Sequence, residues 1–265
     1  MTLVVRAPAT TANLGPGFDC AAVALDLWNE VEVSEGAGVP DPAHIGVRAF
    51  GLVASPEGLD LRWTERIPRA RGLGSSAATI SLGLVAAAKW SGQELSSEEL
   101  LARGGPLEGH SDNLAACLAG GICLTWDGRI ERIAETLPLA PVAVVPKQKV
   151  LTPDARNALP SEVSHGDAAF NVARAALLGA GLARGDAGLL AAAFADRLHE
   201  PYRPSALLDA IRAELPRGAV GATLSGSGPT VIVWAEDAEA CAGELAGRFP
   251  AEEVLSLRVS PEGAH

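Results

Sequence analysis

Gly72, Gly74, Ser75 and Ser76 stand together in Pro68-Arg-Ala-Arg71-Gly72-Leu73-Gly74-Ser75-Ser76-Ala77-Ala78, a glycine loop running straight into an Ala-, Leu- and Val-rich stretch without proline. Glycines let backbone N–H groups approach an anion closely. Ser75 and Ser76 can cap the following helix or bind a phosphate oxygen or a metal ion. A helix N-terminus below such a loop attracts an anion through its backbone dipoles. A loop and a helix cap with no ligand is the plainer alternative. No glycine loop carries the lysine of a Gly-x-x-x-x-Gly-Lys-Ser/Thr motif; the only lysines are Lys89, Lys147 and Lys149. Gly72-Leu-Gly74-Ser-Ser-Ala77 also fits a dinucleotide fingerprint, but residues 66–71 are too charged and proline-broken for the buried parallel strand that must precede it.

Three other stretches carry polar groups in suggestive places. Asn13 and Asp19 flank Leu14-Gly15-Pro16-Gly17-Phe18; in such a tight loop they form Asx turns or line a site. Leu107-Glu108-Gly109-His110-Ser111-Asp112-Asn113 is the densest polar cluster. Glu108 could coordinate Mg²⁺ and His110 or Asn113 could bind substrate; alternatively Ser111 or Asp112 caps a helix and the rest is solvated. His110 has no second histidine at His-x-x-x-His spacing, which argues against zinc. Arg156 and Arg203 are surface arginines or anion clamps. The second glycine loop, Ser225-Gly226-Ser227-Gly228-Pro229, lies over a phosphate site or simply turns the chain.

The elements that must position these groups alternate between strand and helix. Strands are expected at Leu3–Arg6, Val23–Glu35, Ile45–Phe50, Leu59–Trp63, Val142–Val145, Val220–Leu224, Thr230–Trp234 and 254–259, with residues 7–20 a loop. Asp127-Gly128 predicts a type I′ hairpin between Ile122–Trp126 and Arg129–Ile133. Helices are expected from Ala77 to Trp90, from a Ser96/Glu99 capping box to near Gly104-Gly105, over Leu114–Ala119, from a Thr152 cap with Pro153 at the first position, and at 167–182, 186–198, 204–215 and 238–248.

With 265 residues and 48% hydrophobic content the chain can bury a large core, as one domain or two. Its formal charge of −11 argues against nucleic-acid binding, so any anionic substrate must be held by local groups. No apolar run reaches the length of a membrane span, and the N-terminus lacks a signal-peptide pattern. Four cysteines without a Cys-x-x-Cys pair suit a reduced, cytoplasmic protein.

Taken together and in order, Pro8-Ala-Thr-Thr-Ala-Asn13-Leu-Gly-Pro-Gly-Phe-Asp19, Pro68-x-x-x-Gly-Leu-Gly-Ser-Ser-Ala77 and Leu224-Ser-Gly-Ser-Gly-Pro-Thr230 resemble the GHMP small-molecule kinases. Glu108-Gly-His110-x-Asp112-Asn113, Thr152-x-x-x-Arg156 and His199-Glu-Pro-Tyr-Arg203 make the chain most similar to the homoserine kinase branch. The resemblance implies an α+β, two-part fold: residues 1–145 like domain 2 of ribosomal protein S5 with the ATP phosphate loop, and residues 146–265 ferredoxin-like. It implies ATP- and Mg²⁺-dependent phosphorylation of the L-homoserine side-chain hydroxyl, on the route to threonine, with a homodimer left open. Arg71, Gly72, Leu73, Gly74, Ser75, Ser76 and Ala77 would hold the ATP phosphates, and Ser76 and Glu108 the metal. Asn13 and Asp19 would act at the hydroxyl. Asn13, Asp19, His110, Asn113, Arg156, Arg203, Gly226, Ser227 and Gly228 would line the substrate pocket. The same resemblance leaves open a kinase for another small alcohol such as mevalonate, or a silent nucleotide- or amino-acid-binding regulator.

Overall fold

The computed structural model describes residues 2–149 and 152–265, with backbone alone for residues 152–154. Two antiparallel sheets organise the chain. In the first, β1 (Thr2–Asn13) pairs with the long β2 (Gly17–Glu35), and β2 carries both β3 (Leu59–Thr64) and the hairpin β4 (Ile122–Trp126) and β5 (Arg129–Ala134). In the second, the order is β7 (Ala219–Leu224), β8 (Val231–Ala235), β6 (Ala140–Val145), β9 (Glu253–Ser256). The first strand of this set thus lies between the third and the fourth, with helices in the two crossovers, which is the ferredoxin-like split βαβ arrangement. β6, which a division at residue 145 assigns to the first half, hydrogen-bonds to β8 and β9 and belongs to the second sheet.

The helices are α1 (Ile45–Gly51), α2 (Ser75–Trp90), α3 (Ser97–Glu108), α4 (Asp112–Ala119), α5 (Thr152–Asn157), α6 (His165–Arg184), α7 (Ala187–Ala193), α8 (Ala206–Ala213) and α9 (Ala238–Arg248). α2 is buried along almost its whole length, from Ala77 to Ala88. Its Ala-rich surface lets β1, β2 and α1 approach closely: a Cβ at Gly83 would sit 2.2 Å from the Gly46 carbonyl oxygen. One apolar cluster runs from Val5 and Leu25 through Ile80 and Leu114 to Leu139, Ile232 and Trp234 and ties the two sheets together, while a second joins Val142, Val144 and Val233 of the second sheet to Leu208, Ile211 and Leu245.

Several expectations change. Residues 7–13 and 17–20 are strand rather than loop: Ala7, Ala9, Thr10, Thr11 and Ala12 are fully buried small residues packed under α2 and α4, and β2 begins at Gly17. Pro8 is tolerated there at a register shift. Ile45–Phe50 is helix, since a short apolar run does not separate strand from buried helix. α3 continues past Gly104 and Gly105 to Glu108: Gly104 is a packing position, where a Cβ would meet Leu84 Cδ1 at 2.7 Å. α7 ends at Ala193 rather than near 198, and residues 194–199 turn back toward the first sheet. The Thr152 cap lies outside the described side chains. The Asp127-Gly128 turn has positive φ at both residues, 47° and 76°, as a type I′ turn requires.

Candidate active site

The β1–β2 connection shrinks to Leu14-Gly15-Pro16, and the backbone bends into the left-handed region before it, with φ of 73° at Asn13, and again just inside β2, with φ of 57° at Asp19. Such values are uncommon for non-glycine residues and are carried best by Asn and Asp. The Asn13 side chain is buried and used twice. Its Nδ2 donates to the Gly226 carbonyl at 3.0 Å, and its Oδ1 accepts from the Asp19 N–H at 3.1 Å. The turn is thereby locked to the second glycine loop, which also donates the Gly226 N–H to the Ala12 carbonyl.

The first glycine loop is clamped from below. Gly72 (φ +81°) lies where a Cβ would meet the Ser225 carbonyl oxygen at 2.2 Å, and the Ser225 hydroxyl donates to the Gly72 carbonyl at 2.6 Å. Gly74 (φ +67°) is the N-cap of α2, and its would-be Cβ is 1.9 Å from Thr10 Oγ1. Ser75 and Ser76 therefore do not cap the helix: they are its first two residues, and no side chain accepts from its first turn. Those amides face the cleft with their partial positive charge open. The Arg71 guanidinium is committed elsewhere, donating to the carbonyls of Arg69, Pro146 and Lys147. It braces the loop against the end of β6, while its backbone lines the cleft.

The polar cluster at 108–113 bridges α3 and α4. Ser76 Oγ donates to Glu108 Oε2 at 2.7 Å. The Glu108 side chain is 5% exposed, and burial holds its carboxyl above the ordinary range although His110 and Ser76 pull the other way. His110 Nδ1 donates to Asp112 Oδ1 at 3.1 Å. Burial would lower the His110 pKa, but Asp112 and Glu108 outweigh it and raise the net value. Asp112 Oδ1 also accepts from the backbone and side-chain N–H groups of Asn113, and Asn113 Oδ1 accepts from Thr10 Oγ1 at 2.7 Å.

The two arginines differ. Arg156 forms a two-pronged pair with Asp19 at 2.8 and 2.9 Å, both side chains being partly exposed; this bonding raises its pKa. Arg203 is 9% exposed, and among the described residues no carboxylate forms an ion pair with it. It donates to the Ala155 and Gly226 carbonyls and to His199 Nδ1. Burial pushes its pKa down, and the like charge of Arg156 acts in the same direction. A buried guanidinium without a counter-ion is costly unless an anion completes it.

These groups share one cleft. Asn13, Asp19, Arg71 to Ser76, Glu108, His110, Asn113, Arg156, Arg203, Gly226 and Ser227 all line it. Ala77 and Gly228 do not: Ala77 is buried in α2, and Gly228 borders the neighbouring hollow behind the second loop. Sequence reasoning missed Asp112 as the hub of the 110–113 network, Thr10 as its support, and His199 behind Arg203. The Asp112-Asn113 and His199-x-x-x-Arg203 spacings were visible, but what those side chains touch was not. Among the described residues no group of three or more His, Cys, Asp or Glu converges as a metal shell. Glu108 and Ser76 present oxygen atoms to the cleft, the donor type that hard cations take.

Two family descriptions match: the GHMP kinases N terminal domain over residues 43–121 and the GHMP kinases C terminal over residues 178–251. A homoserine kinase of Streptomyces avermitilis is 41% identical, with 96% of this chain and 92% of the relative covered. One from Gloeobacter violaceus is 38% identical, over 98% of this chain and 97% of the relative. The crystal structure of a homoserine kinase from Cytophaga hutchinsonii superimposes with a TM-score of 0.89 at 26% identity, covering 100% of this chain and 96% of that one. The mevalonate kinase of Methanococcus jannaschii shares the fold alone, with a TM-score of 0.73 at 16% identity, covering 98% of each chain.

Proposed function

Because the chain belongs to the homoserine kinase branch of the GHMP kinases, we propose that it transfers the γ-phosphoryl group of ATP to the side-chain hydroxyl of L-homoserine. The product is O-phospho-L-homoserine, on the route to threonine. The observation that carries the substrate reading is Arg203, a buried cation with no carboxylate partner among the described residues, in the same cleft as the open N-terminus of α2. One end of the cleft suits phosphates and the other suits the carboxylate of an amino acid.

Phosphoryl transfer needs mainly positioning and charge neutralisation. The open amides of Gly74, Ser75 and Ser76 would hold the phosphate oxygens through backbone dipoles, in place of a P-loop lysine. Glu108 and Ser76 would hold Mg²⁺, which when bound neutralises charge on the phosphates. Arg203, with Arg156 beside it, would fix the substrate carboxylate through charge-assisted donors. Asn13 and Asp19 would orient the hydroxyl toward the phosphate, with Asp19 itself steadied by Arg156. His110 and Asn113 would complete the wall between the two ends. A cytoplasmic location fits this metabolic role, and among the described residues no helix is long and apolar enough to cross a membrane.

The experiment is ADP release from ATP and Mg²⁺, with the product identified by ³¹P NMR, offering L-homoserine, L-serine, L-threonine and mevalonate in parallel. Turnover dependent on L-homoserine is expected. Turnover on mevalonate alone, a carboxylate without an amino group, would overturn the reading of the substrate as an amino acid, and ATP binding without turnover on any of them would point to a regulator.

A further inference from the structure

His199 is fully buried, and both its ring nitrogens are engaged. Nε2 lies 2.8 Å from the Gly15 carbonyl oxygen, which can only accept, so Nε2 carries the hydrogen. Nδ1 lies 3.2 Å from Arg203 Nη1, which can only donate, so Nδ1 presents its lone pair. The two neighbours together select one neutral tautomer. The ring stacks on Phe18 at 5.2 Å between centroids, and Phe18 in turn lies under both Arg203 and Arg156, at 5.4 and 5.8 Å. The backbone around His199 is fixed by Asp196, whose Oδ2 accepts from the N–H groups of Leu198, His199 and Glu200 while Oδ1 accepts from Asn171.

We infer that His199 is a positioning residue for the substrate carboxylate: its neutral ring ties the Gly15 turn to Arg203 Nη1 and leaves Nη2 for the ligand. Arg203 spends Nε and Nη1 on Ala155, Gly226 and His199, and among the described residues Nη2 has no partner. A guanidinium held at Nε and Nη1 keeps its Nη2 donors in a fixed direction, so less freedom is lost when an anion binds. Burial keeps the ring from charging, with Arg203 acting the same way, although Asp196, the Gly15 carbonyl and Glu200 oppose this. The inference rests on the reading of Arg203 as the carboxylate clamp.

Two isosteric halves of the imidazole separate positioning from packing. His199→Asn keeps an acceptor at the Nδ1 position and loses the Gly15 donor. His199→Gln keeps a donor at the Nε2 position and loses the acceptor for Arg203. The measurements are KM for L-homoserine, KM for ATP, kcat and melting temperature of each variant, with the ring ¹⁵N shifts of His199 in the unmodified protein. The expected result is an L-homoserine KM raised about tenfold or more in His199→Gln, the range for one hydrogen bond to a charged group. The His199→Asn variant is expected to recover most of that loss, with ATP KM unmoved in both and the ¹⁵N shifts reporting a neutral Nε2–H ring. Equal L-homoserine KM values in the two variants, ATP KM rising in parallel, or a charged or Nδ1–H ring would overturn the inference. If the unmodified protein fails to turn over L-homoserine, the proposed function fails, and the ¹⁵N shifts still report on the tautomer.

Discussion

The two ends of the cleft are built from different materials. At the glycine loop the working groups are backbone amides at the start of α2, and the fold contributes mainly by leaving them uncapped. Five other helices close their first turn with a side chain, Ser96 with Glu99 on α3, Ser164 on α6, Asp186 on α7, Ser205 on α8 and Asp237 on α9, whereas α1 and α4 start without a side-chain cap as α2 does. At the arginine end the working groups are side chains gathered from distant elements: Asn13 and Asp19 from the first hairpin, Arg156 from α5, and Arg203 after α7. A backbone site tolerates little change in loop geometry but is indifferent to most side chains nearby. A side-chain site can lose one member and keep the rest.

That difference sets the order of expected effects. Gly72→Ala should do most damage, because the new Cβ would run into the backbone carbonyl of Ser225 and also needs a positive φ. Turnover should fall by about a hundredfold or more, as for displacement of a reacting group by an ångström, and ATP KM should rise with it. An active variant with normal ATP KM would break the contrast. Asp19→Ala should lower kcat by about a hundredfold, the lower end for loss of a group acting on the transferred proton, with little change in ATP KM. Unchanged turnover would remove Asp19 from the chemistry.

Smaller effects sharpen the comparison. Glu108→Gln should lower turnover yet raise the melting temperature of the ligand-free protein at pH 8. Burial raises the folded-state pKa of Glu108, so ionisation costs folded-state stability once the pH exceeds the ordinary carboxylate range. The stability gain should vanish as the pH falls toward 4, where the carboxyl is protonated in both states; a gain that persists there would contradict the assignment of cause. Ser96→Ala removes a capping box remote from the cleft. It should lower the melting temperature by about 2–4 °C and leave both KM values alone.

The same contrast explains what could be read from the sequence. The glycine loop was legible because its parts are contiguous: two glycines, two serines and a helix-forming run are a local signal. The fate of its serines was not, since the left-handed Gly74 takes the cap position, where Thr10 of β1 leaves no room for a side chain. The Asp127-Gly128 hairpin and the Ser96 box were likewise local and appear as read. The β1 strand was obscured by small residues, which signal loop in isolation and close packing in context. The arginine end was invisible to spacing alone, because Asp19 and Arg156 are 137 residues apart in sequence and meet only in the fold. There the motif resemblance supplied the candidates and the structure supplied the contacts, including an Arg203 Nη2 without a partner among the described residues.

The most direct test of the account compares two alcohols in two proteins: L-homoserine and 3-aminopropan-1-ol, which lacks the carboxylate, with the unmodified protein and with Arg203→Ala. The unmodified protein should favour L-homoserine in kcat/KM by about tenfold or more, the range for a charge-assisted contact, and Arg203→Ala should lose most of that preference while keeping its ATP KM. If the preference survives intact in Arg203→Ala, the carboxylate is read elsewhere, and the division of the cleft into a backbone end for phosphate and an arginine end for the amino acid is wrong.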